Sequence, residues 1–429
     1  EAAILAVGAW EAAAGPHKSW QGNRKKVALR QDAGVDLNAY YDRASFSFFH
    51  QEVEGRTFFS GASTDVVAHE VGHGLLDSVR PDLWDVNYLE AGAFHEAFGD
   101  CMAILTAIED PSTRTRLLAQ APSLRSRNFV ESTAEELSMA IGLVIPGHNA
   151  AEPRHAFNSF RYQLPSTLPF DGGPGELINE VHSFGMIFTG CFWDLIANLF
   201  AAGSQDEAGL LAAAHLAGSL LIAGAKEAVV TPRFIQSVGR AMTLADQTQN
   251  GGANHDAIRD AFGRHDVALG SNSLLAPTAV LAGAAPSRGS LTAATRKDLM
   301  RRMGAASGAK LSTAPAKIFG ADAVRAVRTR SVSLAAVHPS LKGAVALVHE
   351  PAVVGASGGR AAIMGALPHS VDTESETLAF VEVLVKNRRI ETGKSGKGAL
   401  ASADHPRHTT HTIASVAGRK LLKRIRFRC

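Results

Sequence analysis

The sequence predicts an α+β protein in which a larger, mainly helical part is followed by a smaller α/β part. Long apolar helical patterns dominate the chain up to about residue 269, after a short region of strand-like alternation. Near residue 270 the composition shifts to Ser, Gly, Pro and Ala, as in a linker. Beyond that point, short strand patterns occur between helical ones. We therefore predict one domain over 1–269, a small α/β domain of unknown role over 270–391, and a polar and then basic tail over 392–429.

The composition and charge are those of an ordinary globular chain. The 429 residues are 46% hydrophobic, which is enough for a buried core, and the formal net charge of +2 gives no case for a nucleic-acid partner. The most apolar run, AAAHLAGSLLIAGA, is too short to span a membrane and carries a histidine, so we predict no transmembrane segment. The three cysteines lie far apart and do not suggest a disulfide framework. Localisation, cytoplasmic or secreted, and oligomeric state stay open.

Five stretches of the first domain carry clear patterns. AAILAVGAWEAAAG predicts an Ala-rich helix, and GVDLNAYYDRASFSFFH alternates as a strand with one wet face does. STDVVAHEVGHGLLDSV predicts a helix with Ser63 or Thr64 as its N-cap and Asp65 in its first turn. YLEAGAFHEAFGDCMAILTAIED and VHSFGMIFTGCFWDLIANLF are apolar on most faces, which predicts buried helices. Helical patterns continue from about residue 205 to 265.

The second domain alternates between the two kinds of pattern. LTAATRKDLMRRMG and TESETLAFVEVLVKNRR predict helices, whereas VSLAAVHP, GAVALVHEPAVVG and RAAIMGAL predict strands. The basic stretch GRKLLKRIRFRC interleaves Lys and Arg with apolar residues. It has the composition of an amphipathic segment for a membrane surface or nucleic acid, but a solvated or disordered tail is the interpretation we favour.

The stretch DVVAHEVGHGLLD carries the first candidate site. Positions four apart lie on one face of a helix, so His69 and His73 can bind one ion through their imidazoles, and Glu70 lies near enough to reach a water on it. This H-E-x-x-H pattern is typical of a zinc site with its own general base. A solvated helix face that contains these residues by chance is the alternative. The apolar neighbours of the motif argue against that alternative, because buried His and Glu need partners.

A catalytic zinc ion needs a third protein ligand and one open position. The next helix offers Glu96 as that ligand, within GAFHEAFGD. Asp100 follows one turn later on the same face, where it suits accepting a hydrogen bond from the second ring nitrogen of a ligand histidine.

At this point the sequence resembles the thermolysin-like zinc metallopeptidases, which belong to the gluzincins. DVVAHEVGHGLLD is similar to the family's zinc-binding helix, and EAGAFHEAFGD is similar to its block with the glutamate ligand. LNAYYDRASFSFF resembles the edge strand that holds extended peptide, and NEVHSFGMIF the block with the histidine that stabilises the tetrahedral intermediate. The resemblance runs from about residue 3 to 269. It implies a thermolysin-like fold with a truncated N-terminal β region and a mainly helical second lobe.

The resemblance also implies roles for individual residues. His69, His73 and Glu96 would hold one catalytic Zn²⁺, with Glu70 as general base. Asp100 and Asp77 would orient the ligands, and His182 would stabilise the intermediate. Asn38, Ala39 and Arg154 would bind substrate, and Tyr88 would be a second oxyanion donor. Arg154 rests on spacing alone, with a surface arginine as the alternative. His182 could instead be a helix N-terminal histidine that bonds nearby backbone.

Two positions depart from the family pattern. Asp65 matches a calcium ligand, but the carboxylate expected on the second helix falls on Ala107, which argues against a structural calcium site. Asp65 is then expected to act only as a charge at the helix N-terminus. The acid that orients the intermediate-stabilising histidine is not at its usual offset, and either Glu176 or Glu180 could replace it.

The function that we expect is a zinc-dependent endopeptidase, which hydrolyses internal bonds of a peptide or protein substrate by a zinc-activated water. The alternative is a catalytically weak protein of the same fold that serves as a binding or interaction module. The presence of Glu70 discriminates between them, because its loss alone would abolish turnover while sparing the metal. An aminopeptidase on a related scaffold is a lesser alternative.

Overall fold

The computed structural model describes residues 1–270, 279–286, 290–305, 310–318, 321–366, 373–391 and 408–429. These residues form a mixed α+β protein with several sheets. Its helices are α1 (Ala2–Ala14), α2 (Thr64–Val79), α3 (Leu89–Glu109), α4 (Pro111–Gln120), α5 (Glu135–Val144), α6 (Val181–Ala202), α7 (Glu207–Glu227), α8 (Phe234–Asn250), α9 (His255–Arg264), α10 (Ala293–Arg302) and α11 (Thr373–Lys386). Its strands are β1 (Ala28–Arg30), β2 (Ala39–Tyr41), β3 (Ser45–Phe48), β4 (His50–Val53), β5 (Arg56–Phe59), β6 (Ser132–Thr133), β7 (Arg154–His155), β8 (Ala279–Ala284), β9 (Leu311–Ile318), β10 (Ala321–Ser333), β11 (Ala344–Ser357), β12 (Arg360–Ala366), β13 (Ile390–Glu391), β14 (His411–Val416), β15 (Arg419–Arg424) and β16 (Phe427–Arg428).

Three long helices form the centre of the molecule, with α3 packed between α2 and α6. Glycines allow these helices to approach closely. A Cβ atom at Gly72 would lie 2.9 Å from the Cα of Gly99, and one at Gly185 would lie 2.8 Å from the carbonyl oxygen of Ala93. Nearly every residue of α3 is buried, as its apolar pattern predicts. The close contact between α2 and α3 sets the positions of the side chains that face each other across it.

A small mixed sheet lies beside α2. Its strand order is β1-β3-β2-β16, with β1 and β3 parallel and the other pairs antiparallel. Ala39 and Tyr41 of β2 are buried whereas Tyr40 between them is half-buried, which is the two-residue period of a strand with one face in the core. The last described strand, β16, therefore pairs with β2, which lies near the start of the chain.

A larger sheet contains most of the later strands. Its order is β13-β14-β15-β11-β10-β9, and β12 pairs with both β11 and β8. The long strand β11 pairs antiparallel with β10 over most of its length, parallel with the start of β15, and antiparallel with β12 near its end. This arrangement makes β11 the central element of the second half of the chain.

The main hydrophobic core is continuous across both halves. It includes Trp10, Phe94 and Phe188 from the helical part together with Val348 of β11 and Phe380 of α11. A separate, smaller cluster forms around Leu281, Leu299, Ala352 and Ile363, between the far end of the large sheet and α10. The division of the chain into domains at residue 269 stays a prediction.

The secondary structure agrees with the sequence patterns for the central helices and differs elsewhere. Of the predicted strand VSLAAVHP only Val332 and Ser333 belong to a strand, and the predicted strand GVDLNAYYDRASFSFFH is divided by a turn into β2 and β3. The linker and the tail differ as well. The predicted linker contains β8, while residues 271–278 and 287–289 lie outside the described part. The predicted tail is structured from residue 408, whereas 392–407 again lie outside it. Leu421 and Leu422 are buried, so the apolar positions of the basic stretch pack inward as strand residues and are not free to bind a membrane surface as a helix.

Two described helices, α6 and α7, are long and apolar enough to cross a membrane by length and composition. Most of α6 and more than half of α7 is buried inside the protein, as core helices are. No transmembrane segment is established by them.

Candidate metal centre and substrate cleft

The facing sides of α2 and α3 bring three predicted ligands together. The carboxylate Oε2 of Glu96 lies 3.3 Å from Nε2 of His69 and 3.5 Å from Nε2 of His73. Two N or O ligands held about 2.0–2.1 Å from one tetrahedral zinc ion are about 3.4 Å apart, so this spacing fits a shared ion. The three residues are almost fully buried.

Within the described part of the chain these atoms make no hydrogen bond, although Nε2 of His182 lies at ion-pair distance from Oε2 of Glu96. Nε2 of His69, Nε2 of His73, Oε2 of Glu96 and both carboxylate oxygens of Glu70 are buried without a hydrogen bond. Buried polar atoms of this kind cost free energy unless something satisfies them. His69, Glu70 and His73 also form the one group with metal-binding spacing in the described residues. Two imidazoles and one carboxylate suit catalytic zinc, so the residues present fit the ion that the sequence predicts.

A second layer of contacts orients both histidines. Nδ1 of His69 lies 2.8 Å from Oδ1 of Asp100, and Nδ1 of His73 lies 2.8 Å from Nδ1 of His95. Because Asp100 accepts the Nδ1 proton of His69, the opposite nitrogen is left to bind a cation. The contact of His95 with His73 is not predicted by the sequence pattern, although its position next to Glu96 was a usable signal.

Asp100 also holds Arg154, which β7 brings to the edge of the site. The guanidinium donates to both carboxylate oxygens, with Nη2 2.9 Å from Oδ1 and Nε 3.0 Å from Oδ2. Burial opposes the ionisation of Asp100, but Arg154 and His69 together lower its pKa to about 2. Asp100 is therefore a carboxylate that links Arg154 to His69.

Glu70 is a fully buried carboxyl group whose ionised form its surroundings disfavour. Burial raises its pKa to about 8, and Glu96 adds to the increase, while His69 and Arg154 act in the opposite direction. A cation bound nearby would favour the ionised form of the same group. The ionisation state of Glu70 therefore depends on whether a cation is bound beside it.

His182, at the start of α6, contacts the carboxylate of Glu96. Its Nε2 lies 3.1 Å from Oε2 of Glu96, and its Nδ1 lies 2.9 Å from Oε1 of Glu180. Glu180 is the N-cap of α6, where it accepts the backbone N–H groups of His182 and Ser183. Burial acts to lower the pKa of His182, but Glu180 and Glu96 raise it well above its ordinary value. Of the two acids left open by the sequence, Glu180 is the one that contacts His182; the side chain of Glu176 instead accepts from the backbone of Gly173.

The strand β2 lies at the rim of this site and carries the other predicted substrate-binding residues. Asn38 precedes it, and both atoms of its buried side-chain amide lack a hydrogen-bond partner in the described residues. The carbonyl oxygen of Ala39 accepts a hydrogen bond from the backbone N–H of Cys429, 2.9 Å away. A cavity of about 260 Å³ opens next to it, with Arg154, His182 and Cys429 among its lining residues.

Two other predicted residues, Asp77 and Tyr88, lie away from the ligands. Asp77 accepts from Tyr41 and Arg43, with Arg43 Nη2 2.6 Å from its Oδ1, and its hydrogen bonds tie the end of α2 to the small sheet, not to a ligand histidine. Tyr88 is the N-cap of α3, and its charged neighbours are Glu350, Arg330 and Glu376 of the second half, so the structure does not bring it to the oxyanion side of His182.

Asp65, which matches the family's calcium ligand, contacts the protein itself. Its Oδ2 accepts the backbone N–H of Ala134 at 2.6 Å, and its Oδ1 accepts from Ser63. Ala134 has a left-handed backbone with φ of 62°, so the contact fixes an unusual turn before α5. The carboxylate thus has a structural use at the start of α2.

No family model matches the chain, and a search of curated proteins finds no significant match.

Proposed function

We propose that the chain is a zinc-dependent endopeptidase of the thermolysin-like kind. The observation that carries the proposal is the convergence of His69, His73 and Glu96, whose ligand atoms are buried without a hydrogen bond among the described residues, next to the carboxylate of Glu70, which likewise has none. Zinc bound by these residues would supply Lewis-acid chemistry, polarising a peptide carbonyl and making water a usable nucleophile near neutral pH.

Glu70 is the proton carrier in this proposal. Its carboxylate oxygens would take a proton from the attacking water and later give it to the nitrogen of the leaving amine. Among the described residues neither carboxylate oxygen has a hydrogen-bond partner, which leaves both available.

His182 and Arg154 would act on the substrate carbonyls. His182, held as a hydrogen-bond donor by Glu180, suits the oxygen on which negative charge develops; removal of one such donor typically costs about 100- to 1000-fold in kcat. Arg154, fixed by Asp100, presents its remaining Nη1 to the cleft. The backbone of β2 would hold the peptide extended by strand addition.

The test is cleavage of a quenched-fluorescent peptide library by zinc-loaded protein, with product masses and metal content measured. The wild type is expected to cut internal bonds, whereas Glu70→Gln keeps about one zinc and loses at least about 100-fold in turnover. Glu90→Gln is the matched control, because Glu90 is an equally buried carboxyl on α3 whose hydrogen bonds go to Tyr162 and Ile235, outside the site. Cleavage that survives Glu70→Gln would contradict the proposal.

A catalytically weak binding protein of the same fold is the second candidate. One observation favours it, namely that the edge strand β2 is already paired with a segment of the same chain. Zinc bound by both wild type and Glu70→Gln without cleavage by either would support this candidate.

A further inference from the structure

A short segment of the chain lies where an extended peptide would bind. Strand β16 runs antiparallel to β2, with Phe427 opposite Tyr41 and Arg428 opposite Tyr40. The N–H of Cys429 continues the pairing with its hydrogen bond to the carbonyl of Ala39. The edge of β2 that faces the cleft is therefore occupied along its whole length, from residue 39 to 41.

The same segment engages the two side chains proposed to bind substrate carbonyls. Nε2 of His182 donates to the carbonyl oxygen of Arg428 at 2.7 Å. Both terminal nitrogens of Arg154 lie 3.5 and 3.6 Å from the sulfur of Cys429. Because His182 Nε2 is only 3.1 Å from Glu96, the carbonyl of Arg428 lies at the metal side of the cleft.

Phe427 anchors the segment. Its ring stacks on His95 with centroids 3.7 Å apart and on His73 at 5.0 Å, and the edge of Trp84 meets it at 5.4 Å. The guanidinium of Arg424 lies 4.1 Å from the centroid of the Phe427 ring. Phe427 itself is only 1% exposed. The anchor therefore rests on one ligand histidine and on the histidine that orients it.

We propose that residues 427–429 act as an internal inhibitor strand, which occupies the substrate cleft and has to leave it before a peptide can bind. The inference rests on the proposed function for the identity of the cleft, but the competition itself involves only this chain and an extended peptide. A two-residue strand is short enough to exchange without unfolding the large sheet. The apparent affinity for a peptide is then the intrinsic one, reduced by the fraction of molecules whose strand has left.

Cys429 provides a readout that does not depend on cleavage. Cys101 and Cys191 are completely buried, whereas Cys429 is half-buried within the cleft. A thiol reagent added to the full chain in the Glu70→Gln background, which prevents turnover, therefore reports departure of the segment. The probe peptide is acetylated RFRS, which copies residues 426–429 with serine in place of cysteine, and RGRS serves as the peptide without the aromatic anchor.

We expect slow labelling of Cys429 that RFRS accelerates in a saturable way and RGRS does not. Phe427→Ala is expected to raise the rate at least about tenfold, the usual scale for loss of a buried aromatic anchor. His182→Ala removes the hydrogen bond to Arg428 from a half-buried position and is expected to raise the rate as well, so it carries the test if Phe427→Ala does not fold. Val416→Ala, an exposed position in β14, is the control and should leave the rate unchanged.

Labelling of the parent protein as fast as that of a free thiol would overturn the proposal. The proposal would also be overturned if labelling of Cys429 is slow and neither RFRS, Phe427→Ala nor His182→Ala changes its rate. Because the assay uses neither turnover nor a cleavable substrate, an inactive enzyme with an exchanging strand would refute the proposed function and leave the inhibitor strand standing.

Discussion

Asp100 joins two parts of the site that the sequence could only suggest separately. It accepts from Nδ1 of His69 and holds the guanidinium of Arg154, so one carboxylate orients the candidate ligand and fixes the cation beside it. The position of Asp100 one turn after Glu96 was predictable from helix geometry. Its contact with Arg154 was not, because that residue comes from a two-residue strand distant in sequence, and spacing alone gave no angle of approach.

Asp100→Asn is expected to weaken zinc binding about 10- to 100-fold, since the neutral amide orients His69 less strongly and leaves Arg154 without its counter-charge. Competition with a chromophoric chelator measures this change. Asp77→Asn is the matched control: it removes a buried carboxylate of α2 that binds Tyr41 and Arg43, so it should lower stability with zinc affinity unchanged. Equal losses of affinity in both variants would show that Asp100 has no special place at the ligand.

Glu90 predicts a pH dependence of stability that is separate from the metal site. Burial raises its pKa to about 7 from an ordinary 4.5, although Tyr162 and Arg233 oppose the increase. The folded state then holds the proton more tightly than the unfolded state, so stability falls as pH rises from about 4.5 to about 7 and then levels. The free energy of unfolding of Glu90→Gln, relative to wild type, should therefore rise by up to ~3 kcal/mol between pH 4.5 and pH 8. Urea unfolding at a series of pH values tests this, and a difference that does not change with pH would contradict it.

At the scale of elements, the helices that carry the site follow from local patterns. DVVAHEVGHGLLD and GAFHEAFGD lie on α2 and α3, as their periodicity indicates. How close those helices come depends on Gly72 and Gly99, which meet at the crossing. A sequence pattern shows that a glycine is present but not which neighbour needs its missing side chain, so the close approach was not predictable.

Gly99→Ala is expected to destabilise the protein by about 1–3 kcal/mol and to weaken zinc binding, because a Cβ there would lie 2.6 Å from Nδ1 of His69. The control is Gly8→Ala in α1, where nothing lies within 4 Å; alanine should stabilise that helix by roughly 0.5–1 kcal/mol. Thermal unfolding of both variants, with and without zinc, measures the change in stability and in zinc binding for each. Unchanged zinc affinity in Gly99→Ala would show that α2 and α3 can separate without disturbing the ligands.

At the scale of the whole molecule, the least predictable feature is the return of the chain to its first sheet. The basic stretch that forms β15 and β16 has a local pattern of alternating charge and apolar residues, which suits a solvated tail as well as a strand. Its partners are distant in sequence: Trp84 donates to the carbonyl of Arg424, and His182 donates to that of Arg428. Pairing of this kind depends on the folded positions of both partners, and composition does not encode it.

Metal binding is expected to stabilise the folded protein as a whole. The candidate ligand atoms are buried without a hydrogen bond among the described residues, and an ion that binds only the folded state adds about 4 kcal/mol at a free concentration 1000-fold above its Kd. Zinc should therefore raise the Tm of the metal-free protein in a concentration-dependent way, and chelation should reverse the increase. His73→Ala should lack this response, and a comparable response in that variant would place the stabilising ion elsewhere.

The most direct test of the account is anomalous diffraction at the zinc edge from crystals of the zinc-loaded protein. One strong peak is predicted, about 2.0–2.2 Å from Nε2 of His69, Nε2 of His73 and a carboxylate oxygen of Glu96, with Glu70 adjacent but not bound. A peak coordinated by other residues, or a site between α2 and α3 that stays without metal at saturating zinc, would contradict the reading of DVVAHEVGHGLLD as a metal-binding helix.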